Sequence, residues 1–483
     1  MNTATDSNTE QAKEATETAV VSPGDAAESV FPLPLTPFER YMLADDRPGY
    51  PMTFLARFRF EGEFDRTAIE GAFSDALQRH PLLSARLVRR GRVHLWESTD
   101  DPPPTLKWKA SAEDCKLHPG AAIDLFNSPG IAAEAFADDG YSEIRLLCHH
   151  AATDGLGAIK FCGDVMAYYA CRQSPETELP RFLIVQPSNL AHRGSFDIRV
   201  PAPVSRWDVI KSTIREGWRV MSRRPLAIHT RNRPPKDQRV NRPNVVSRVL
   251  PASTYGRYCE AAAAANVNVN DLLLRDLFLT IDAWNREQGL RKNKGWIRIT
   301  IPTSLRGKRD SRMPAANLLG YALVTHHTKT FDAPEQLLKN IAAETTAIRD
   351  WSLGALFVEG IRAALKIPGL VRFGTRFSRR FSTAVLSNLS DSPRRWRVRF
   401  PQTSERLDIG NVTYLETIGA PPIRPGTRIA MGLSTHANQL TITANADPRW
   451  FDKPLALEFV DAYVRYMEKS CEAIPPCGET EAS

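Results

Sequence analysis

The sequence predicts an α/β protein made of two similar halves joined by a basic connector. Two strand-and-helix alternations carry this reading, one across residues 54–169 and one across 297–471. Between them, over residues 172–250, proline recurs and arginine is dense, a composition that interrupts regular structure. At 483 residues the chain is also long for a single hydrophobic core.

Residues 1–30 are rich in Ala, Thr, Glu and Ser and poor in aromatics, as a disordered acidic tail is. Thr36 before Pro37 reads as an N-cap and first helical position. Residues 54–60 alternate as a strand. Ile69, Phe73 and Leu77 then share a helical face over 67–80, which Pro81 ends. A hairpin is expected from 85–89 and 93–97, turning at Arg90-Gly91-Arg92. Residues 141–148 read as a strand and 156–169 as a helix. In the second half, 261–284 reads as a long helix with a break near Asn266-Val267-Asn268. Strands are expected at 297–301, 319–328, 383–387, 408–416, 429–434 and 439–444, and helices at 334–351 and 454–471. The expected organisation is a tail (1–30), a first subdomain (31–195), the connector (196–250), a second subdomain (251–475) and a short tail (476–483).

With 42% hydrophobic and 24% charged residues, the composition is that of an ordinary soluble globular protein. The seven cysteines show no CxxC pair and are odd in number, which argues against a disulfide framework or zinc site and favours a reducing cytosol. No run of 18 apolar residues exists, and the N-terminus lacks a signal-peptide pattern. A cytoplasmic protein is therefore expected. The net charge of +8 suits phosphates or an anionic lipid surface, or serves solubility alone. Clustered arginine without a reading motif gives no case for nucleic acid.

The richest stretch is Cys148-His149-His150-Ala151-Ala152-Thr153-Asp154-Gly155, a His-His-x-x-x-Asp-Gly pattern between a strand and a helix. A histidine there faces a cleft readily and can act as a base near neutral pH. A metal reading would need a third ligand at sensible spacing, and none is local. The His-x₄-Asp spacing of His149 and Asp154 also fits glycerolipid acyltransferases, but neither a membrane span nor a Glu-Gly-Thr-Arg box accompanies it. His326-His327 has no Asp-Gly after it and fits alternating strand positions.

Further segments match this motif's setting. The helix ending in His80-Pro81-Leu82-Leu83, the segment Ile123-Asp124-Leu125-Phe126-Asn127-Ser128-Pro129, read as a strand preceding that of the motif, and the opening Val269-Asn270-Asp271-Leu272 are three. Ile301-Pro302-Thr303-Ser304-Leu305-Arg306, Asn317-Leu318-Leu319-Gly320 and Ser387-Asn388-Leu389 are three more. Together they resemble the CoA-dependent acyltransferase superfamily: condensation domains, wax ester synthases, polyketide-associated acyltransferases and chloramphenicol acetyltransferase. The resemblance runs over residues 31–471. The absence of an Asp-Phe-Gly-Trp-Gly box counts against the plant-type branch, and no adenylation, carrier or thioesterase-like region is seen.

The resemblance implies two chloramphenicol-acetyltransferase-like subdomains in a V, with the active site at their junction and substrates entering from opposite faces. It implies that His150 is the general base, that Asp154 is a structural ion paired with Arg306, with a catalytic orienter as the alternative, and that Gly155 allows close approach at the helix start. His149 would pack or bond to backbone. Ser387 and Asn388 are candidate oxyanion or substrate contacts, with an ordinary turn as the alternative. No permanently bound cofactor is implied; acyl-CoA, or a phosphopantetheine thioester on an acyl carrier protein, would be co-substrate, and a small molecule or lipid the acceptor. The expected product is an ester, less readily an amide, made by a standalone monomer. The competing reading is a condensation-fold binding or scaffold protein without turnover.

One pattern bears on location. Leu370, Phe373, Phe377 and Phe381 fall on one side of a helix and Arg372, Arg376, Arg379 and Arg380 on the other. Trp207, Ile210, Ile214, Trp218 and Met221 form a second stripe among basic residues. Such elements lie on an anionic membrane or pack on the core with their arginines as a solvated rim.

Overall fold

The computed structural model describes residues 30–173, 180–196, 222–231, 243–290, 294–376, 380–391, 394, 396–400, 402–403 and 406–472. The stripe at Trp207–Met221, the terminal tails and most of the connector lie outside them. In chain order the first half holds β1 (Leu33–Pro34), α1 (Pro37–Asp45), β2 (Thr53–Glu61), α2 (Arg66–Arg79), β3 (Arg86–Arg90) and β4 (Val93–Glu97). It continues with β5 (Leu106–Trp108), β6 (Ile131–Asp138), β7 (Tyr141–His149) and α3 (Gly155–Gln173). The second half opens with β8 (Asn244–Leu250), α4 (Ala252–Ala264), α5 (Val269–Glu287), β9 (Trp296–Ser304), β10 (Leu319–His327) and α6 (Pro334–Asp350). Next come α7 (Leu353–Ala364), α8 (Leu370–Arg376), β11 (Ala384–Asp391), β12 (Gln402–Thr403), β13 (Arg406–Ile409) and β14 (Val412–Ala420). The chain closes with β15 (Ile429–His436), β16 (Gln439–Ala446) and α9 (Lys453–Glu472).

Three sheets result: β1-β4-β3, a seven-stranded β12-β13-β14-β2-β7-β6-β5 and a six-stranded β10-β9-β11-β15-β16-β8. The fold is mixed α/β in two subdomains. One core gathers Phe58, Phe73, Phe161 and Met166 under α2 and α3; the other gathers Leu273, Phe278, Ile299, Phe459 and Tyr463 under α5 and α9.

Local chemistry explains the element starts. Thr36 and Glu39 cap α1 reciprocally, the Glu39 amide donating to Thr36 Oγ1 and the Thr36 amide to Glu39 Oε2. Glu39 is fully buried, and it is satisfied there by the Trp96 indole and the Arg193 guanidinium. Asp65 caps α2 through the Ala68 amide.

The structure differs from the sequence expectations at identifiable points. The single strand expected at 408–416 is a hairpin, because Gly410 takes φ 60° and turns β13 back into β14. β14 then leaves the second half altogether and pairs with β2, from Thr413↔Glu61 to Ala420↔Leu55. β12, β13 and β14 are therefore part of the seven-stranded sheet, and β8, placed in the connector by composition, is an edge of the six-stranded one. Residues 123–129 are a turn rather than a strand. Asp124 accepts from the Phe126 amide and the Asn127 side chain, a local alternative to strand pairing. The break expected near Asn266-Val267-Asn268 is present: Asn266 adopts φ 54°, Asn268 and Asp271 cap α5, and the first of the two helices, α4, begins earlier than 261, at Ala252.

The two sheets meet where β14 returns to β15. A Cβ on Gly432 would stand 2.2 Å from the Gly419 carbonyl oxygen, so only glycine permits this approach. His80 makes a second link: its Nδ1 accepts the Ala315 amide at 2.8 Å, while Nε2 lies 3.1 Å from buried Asp164.

Candidate functional site

His149 is the last residue of β7, paired with Thr53 of β2, and His150 is the first residue beyond the strand. The backbone of His150 is held from both sides. Its amide donates to the Met52 carbonyl at 2.8 Å, and its own carbonyl accepts from Asn317 Nδ2 at 2.5 Å. Asn317 comes from the segment just before β10, so the second half fixes the histidine of the first. The ring packs 4.6 Å from the Phe54 ring. Nδ1 is buried without a hydrogen bond, and no described residue bonds Nε2.

Burial dominates the protonation of His150. It lowers the ring's pKa to about 4; Asp154 opposes the shift, while His149 and Arg424 add to it. The imidazole is thus neutral at pH 7, the form that can accept a proton.

His149 has a different environment. It is fully buried, its Nδ1 accepts the Ala151 amide at 3.0 Å, and its Nε2 is 3.8 Å from Asp46. Burial works against the charge of Asp46, yet the His149 ring, the Met52 amide and Arg424 together hold its carboxyl below the usual range.

Asp154 is wholly buried and fully satisfied. Oδ2 accepts from Arg306 Nη1 and the Leu318 amide, and Oδ1 from Arg306 Nη2 and the Gly157 amide, each at 2.8 Å. The Gly157 bond makes it the side-chain cap of α3, while Arg306 also donates to the Ala316 carbonyl at 3.0 Å. One carboxylate therefore starts the helix after the motif and clamps the 306–318 segment of the second half. Lys160 of α3 grips the same segment at the carbonyls of Ser311 and Met313.

Gly155 lies under β11, where an added Cβ would come 3.1 Å from Leu389 Cδ2. Side chains alternate along a strand, so Ser387 shares the face that Leu389 presents to the motif. Ser387 is half-buried and pairs in register with Gly432. Asn388 lies within β11 rather than at a turn, paired with Leu433 just before a register shift, its Oδ1 accepting the Ser390 amide at 2.8 Å and its Nδ2 lying 3.4 Å from Asn270. Motif reasoning had no role for Asn317 or Arg424. Asn317 stood in a quoted segment, but its hold on the His150 carbonyl depends on a contact 167 positions away. Among the described residues no three His, Cys, Asp or Glu side chains converge as a metal-holding group.

No family model and no curated protein matches the chain by sequence. Solved structures do match. The SgcC5 protein of Streptomyces globisporus, solved with a naphthyl ethanediol, superimposes at TM-score 0.62 and 15% identity, over 91% of this chain and 98% of its own. Polyketide synthase associated protein 5 of Mycobacterium tuberculosis gives 0.58 and 16%, over 92% and 99%. A variant of the starter condensation domain of rhizomide synthetase, in complex with C8-CoA and Leu-SNAC, gives 0.61 and 12%, over 91% and 94%. At these identities the likeness is one of fold, and the chain has the two-subdomain fold of condensation domains and of polyketide synthase associated protein 5.

Proposed function

We propose that the chain is an acyltransferase that moves an acyl group from a thioester to a hydroxyl, with His150 as general base. The observation that carries this reading is His150 itself: neutral, desolvated, its backbone gripped by both halves and neither ring nitrogen bonded to a described residue. A hydroxyl brought to the ring gives its proton to the imidazole as its oxygen attacks the thioester carbonyl. The new C–O bond forms, the C–S bond breaks, and the thiolate recovers the proton from the imidazolium. Ser387 is the candidate donor to the transient oxyanion.

Acyl-CoA is the favoured donor, since a basic protein suits its phosphates, with a carrier-protein thioester as the alternative. The acceptor is a small molecule or a lipid. The complexes of the structural neighbours support both halves of the reaction, one with an ethanediol and one with C8-CoA. Thiol release from an acyl-CoA panel, with and without added alcohols, tests it. Failure of every acyl thioester to react would leave the binding or scaffold reading.

Contact with an anionic membrane is part of the proposal. No helix among the described residues is long and apolar enough to cross a bilayer. Yet Ile367, Leu370 and Phe373 are exposed, beside exposed Lys366, Arg372 and Arg376. Leu370 and Phe373 belong to no buried cluster among the described residues; α8 is described to Arg376, Phe377 and Arg379 lie outside the described residues, and Phe381 is half-buried.

A further inference from the structure

Three guanidiniums gather where the parallel strands β9, β11 and β15 begin. Arg380 donates through Nη1 to the Pro225 carbonyl at 3.0 Å and through Nε to the Gly426 carbonyl at 3.2 Å. Arg428 donates to the Ile228 carbonyl at 2.6 Å. Arg224, next to Pro225, is exposed and makes no described hydrogen bond. Backbone carbonyls thus bind these guanidiniums and tie residues 224–228 to the strand ends.

Within the described residues the charges lack counter-ions. Among the described residues no carboxylate forms an ion pair with Arg224, Arg380 or Arg428. Asp447, the described carboxylate that acts on Arg428, is engaged through both oxygens by Arg449, at 3.0 and 2.6 Å. Burial and mutual repulsion lower the pKa of both Arg380 and Arg428, Arg224 acting on the first and Arg380 on the second. Like charges held together at a partly desolvated surface are costly, and a bound anion relieves that cost. Two half-buried indoles flank the group, Trp450 under Arg428 at 3.3 Å and Trp296 under Arg223 at 4.0 Å. Flat aromatic surfaces beside a cationic one suit a nucleotide better than a bare phosphate.

The loop that carries Arg428 also runs to the segment that holds His150. Arg424 donates to the Tyr50 carbonyl at 2.7 Å, two residues before the Met52 carbonyl that holds the His150 amide, and its charge acts on the His150 ring. From these contacts we propose that Arg224, Arg380 and Arg428 bind the phosphates at the nucleotide end of the CoA donor. The assignment rests on the acyltransferase reading above and selects CoA over a carrier protein, whose phosphopantetheine arm has no nucleotide.

Calorimetry with adenosine 3′,5′-bisphosphate, and kinetics with acyl-CoA and the matching acyl-N-acetylcysteamine thioester, test it on the full chain. The variants are Arg224→Gln, which removes no described contact, and Arg224→Gln/Arg380→Gln. The expected result is a loss of bisphosphate affinity of about tenfold per arginine. The KM for acyl-CoA should rise in step, while kcat and the KM for the phosphate-free thioester stay unchanged. Unchanged bisphosphate affinity in both variants would overturn the site. So would displacement of the bisphosphate by phosphatidylserine vesicles, which would make the arginines a lipid-headgroup site, or activity confined to carrier-bound thioesters. Arginine-dependent bisphosphate binding by a protein that turns over no thioester would leave the site standing and remove the acyltransferase reading.

Discussion

Arg306 reaches from the second half of the chain to Asp154 of the first, placing each terminal nitrogen 2.8 Å from a different carboxylate oxygen. With the Gly157 and Leu318 amides, every strong acceptor direction of this buried carboxylate is filled. Removing Arg306 strands the buried charge, and removing Asp154 strands the guanidinium and uncaps α3. Arg306→Ala and Asp154→Ala are each expected to cost ~3–5 kcal/mol, read as a fall in urea midpoint. A stable but inactive Asp154→Ala would instead assign the carboxylate to orienting the base.

His150→Ala is expected to behave in the opposite way. The ring makes no described hydrogen bond, so its loss leaves the fold's polar network intact. Its proposed role is confined to the acceptor proton, so turnover should fall by ~10²-fold or more with the melting temperature little changed. Near wild-type turnover would remove the base assignment.

The same ring links stability to pH. Its folded pKa of about 4 lies below the ordinary 6.5, so between these values the unfolded chain binds more protons than the folded one. The contribution is fully present above pH 6.5 and is lost as pH falls toward 4. It amounts to about 3 kcal/mol, and buried His80, also shifted down, adds in the same direction. Urea midpoints measured from pH 7 to 4.5 should therefore drop, and His150→Gln should flatten part of that slope. The acid limb of kcat/KM should fall well below pH 6, since the free base stays neutral there.

Asn317 is expected to position His150 without touching substrate. Asn317→Asp keeps the acceptor for the Leu319 amide but removes the donor to the His150 carbonyl. A loss of one such bond, worth ~1 kcal/mol, should lower kcat by about tenfold or less and leave KM unchanged. Equal loss with a changed KM would point to substrate contact instead.

The helices and strands around the motif were legible because their apolar periodicities are strong: Ile69, Phe73 and Leu77 line one face of α2 and are buried as one group. The motif's place at the end of β7 followed from the same logic. What the sequence concealed depends on non-local pairing. Nothing local in Val412–Ala420 says that it joins β2, more than 350 residues away, since its alternation fits either sheet. The hold of Asn317 on His150 was hidden for the same reason. Composition also misassigned Asn244–Leu250, where an arginine and proline setting masked an edge strand that tolerates polar residues on its open side.

The exposed patch at α8 gives the last prediction. Ile367 and Phe373 are each 58% exposed and Leu370 40%, while Thr375 on the same short helix is buried and bonds the Ala44 carbonyl. The helix is therefore anchored by one face and presents its apolar side chains outward, among Lys366, Arg372 and Arg376. An interfacial element needs this combination, with each basic residue near an anionic leaflet contributing about 1 kcal/mol. Co-sedimentation with phosphatidylserine vesicles at low salt should retain the protein, and phosphatidylcholine vesicles should not. Salt should weaken the binding, because the charge contribution is screened within about 10 Å at 0.1 M. Ile367→Ser/Leu370→Ser should release the protein without changing its melting temperature, as neither side chain belongs to a buried cluster among the described residues. Retention of the double variant, or no binding of the wild type at low salt, would show that this face contacts something other than a bilayer.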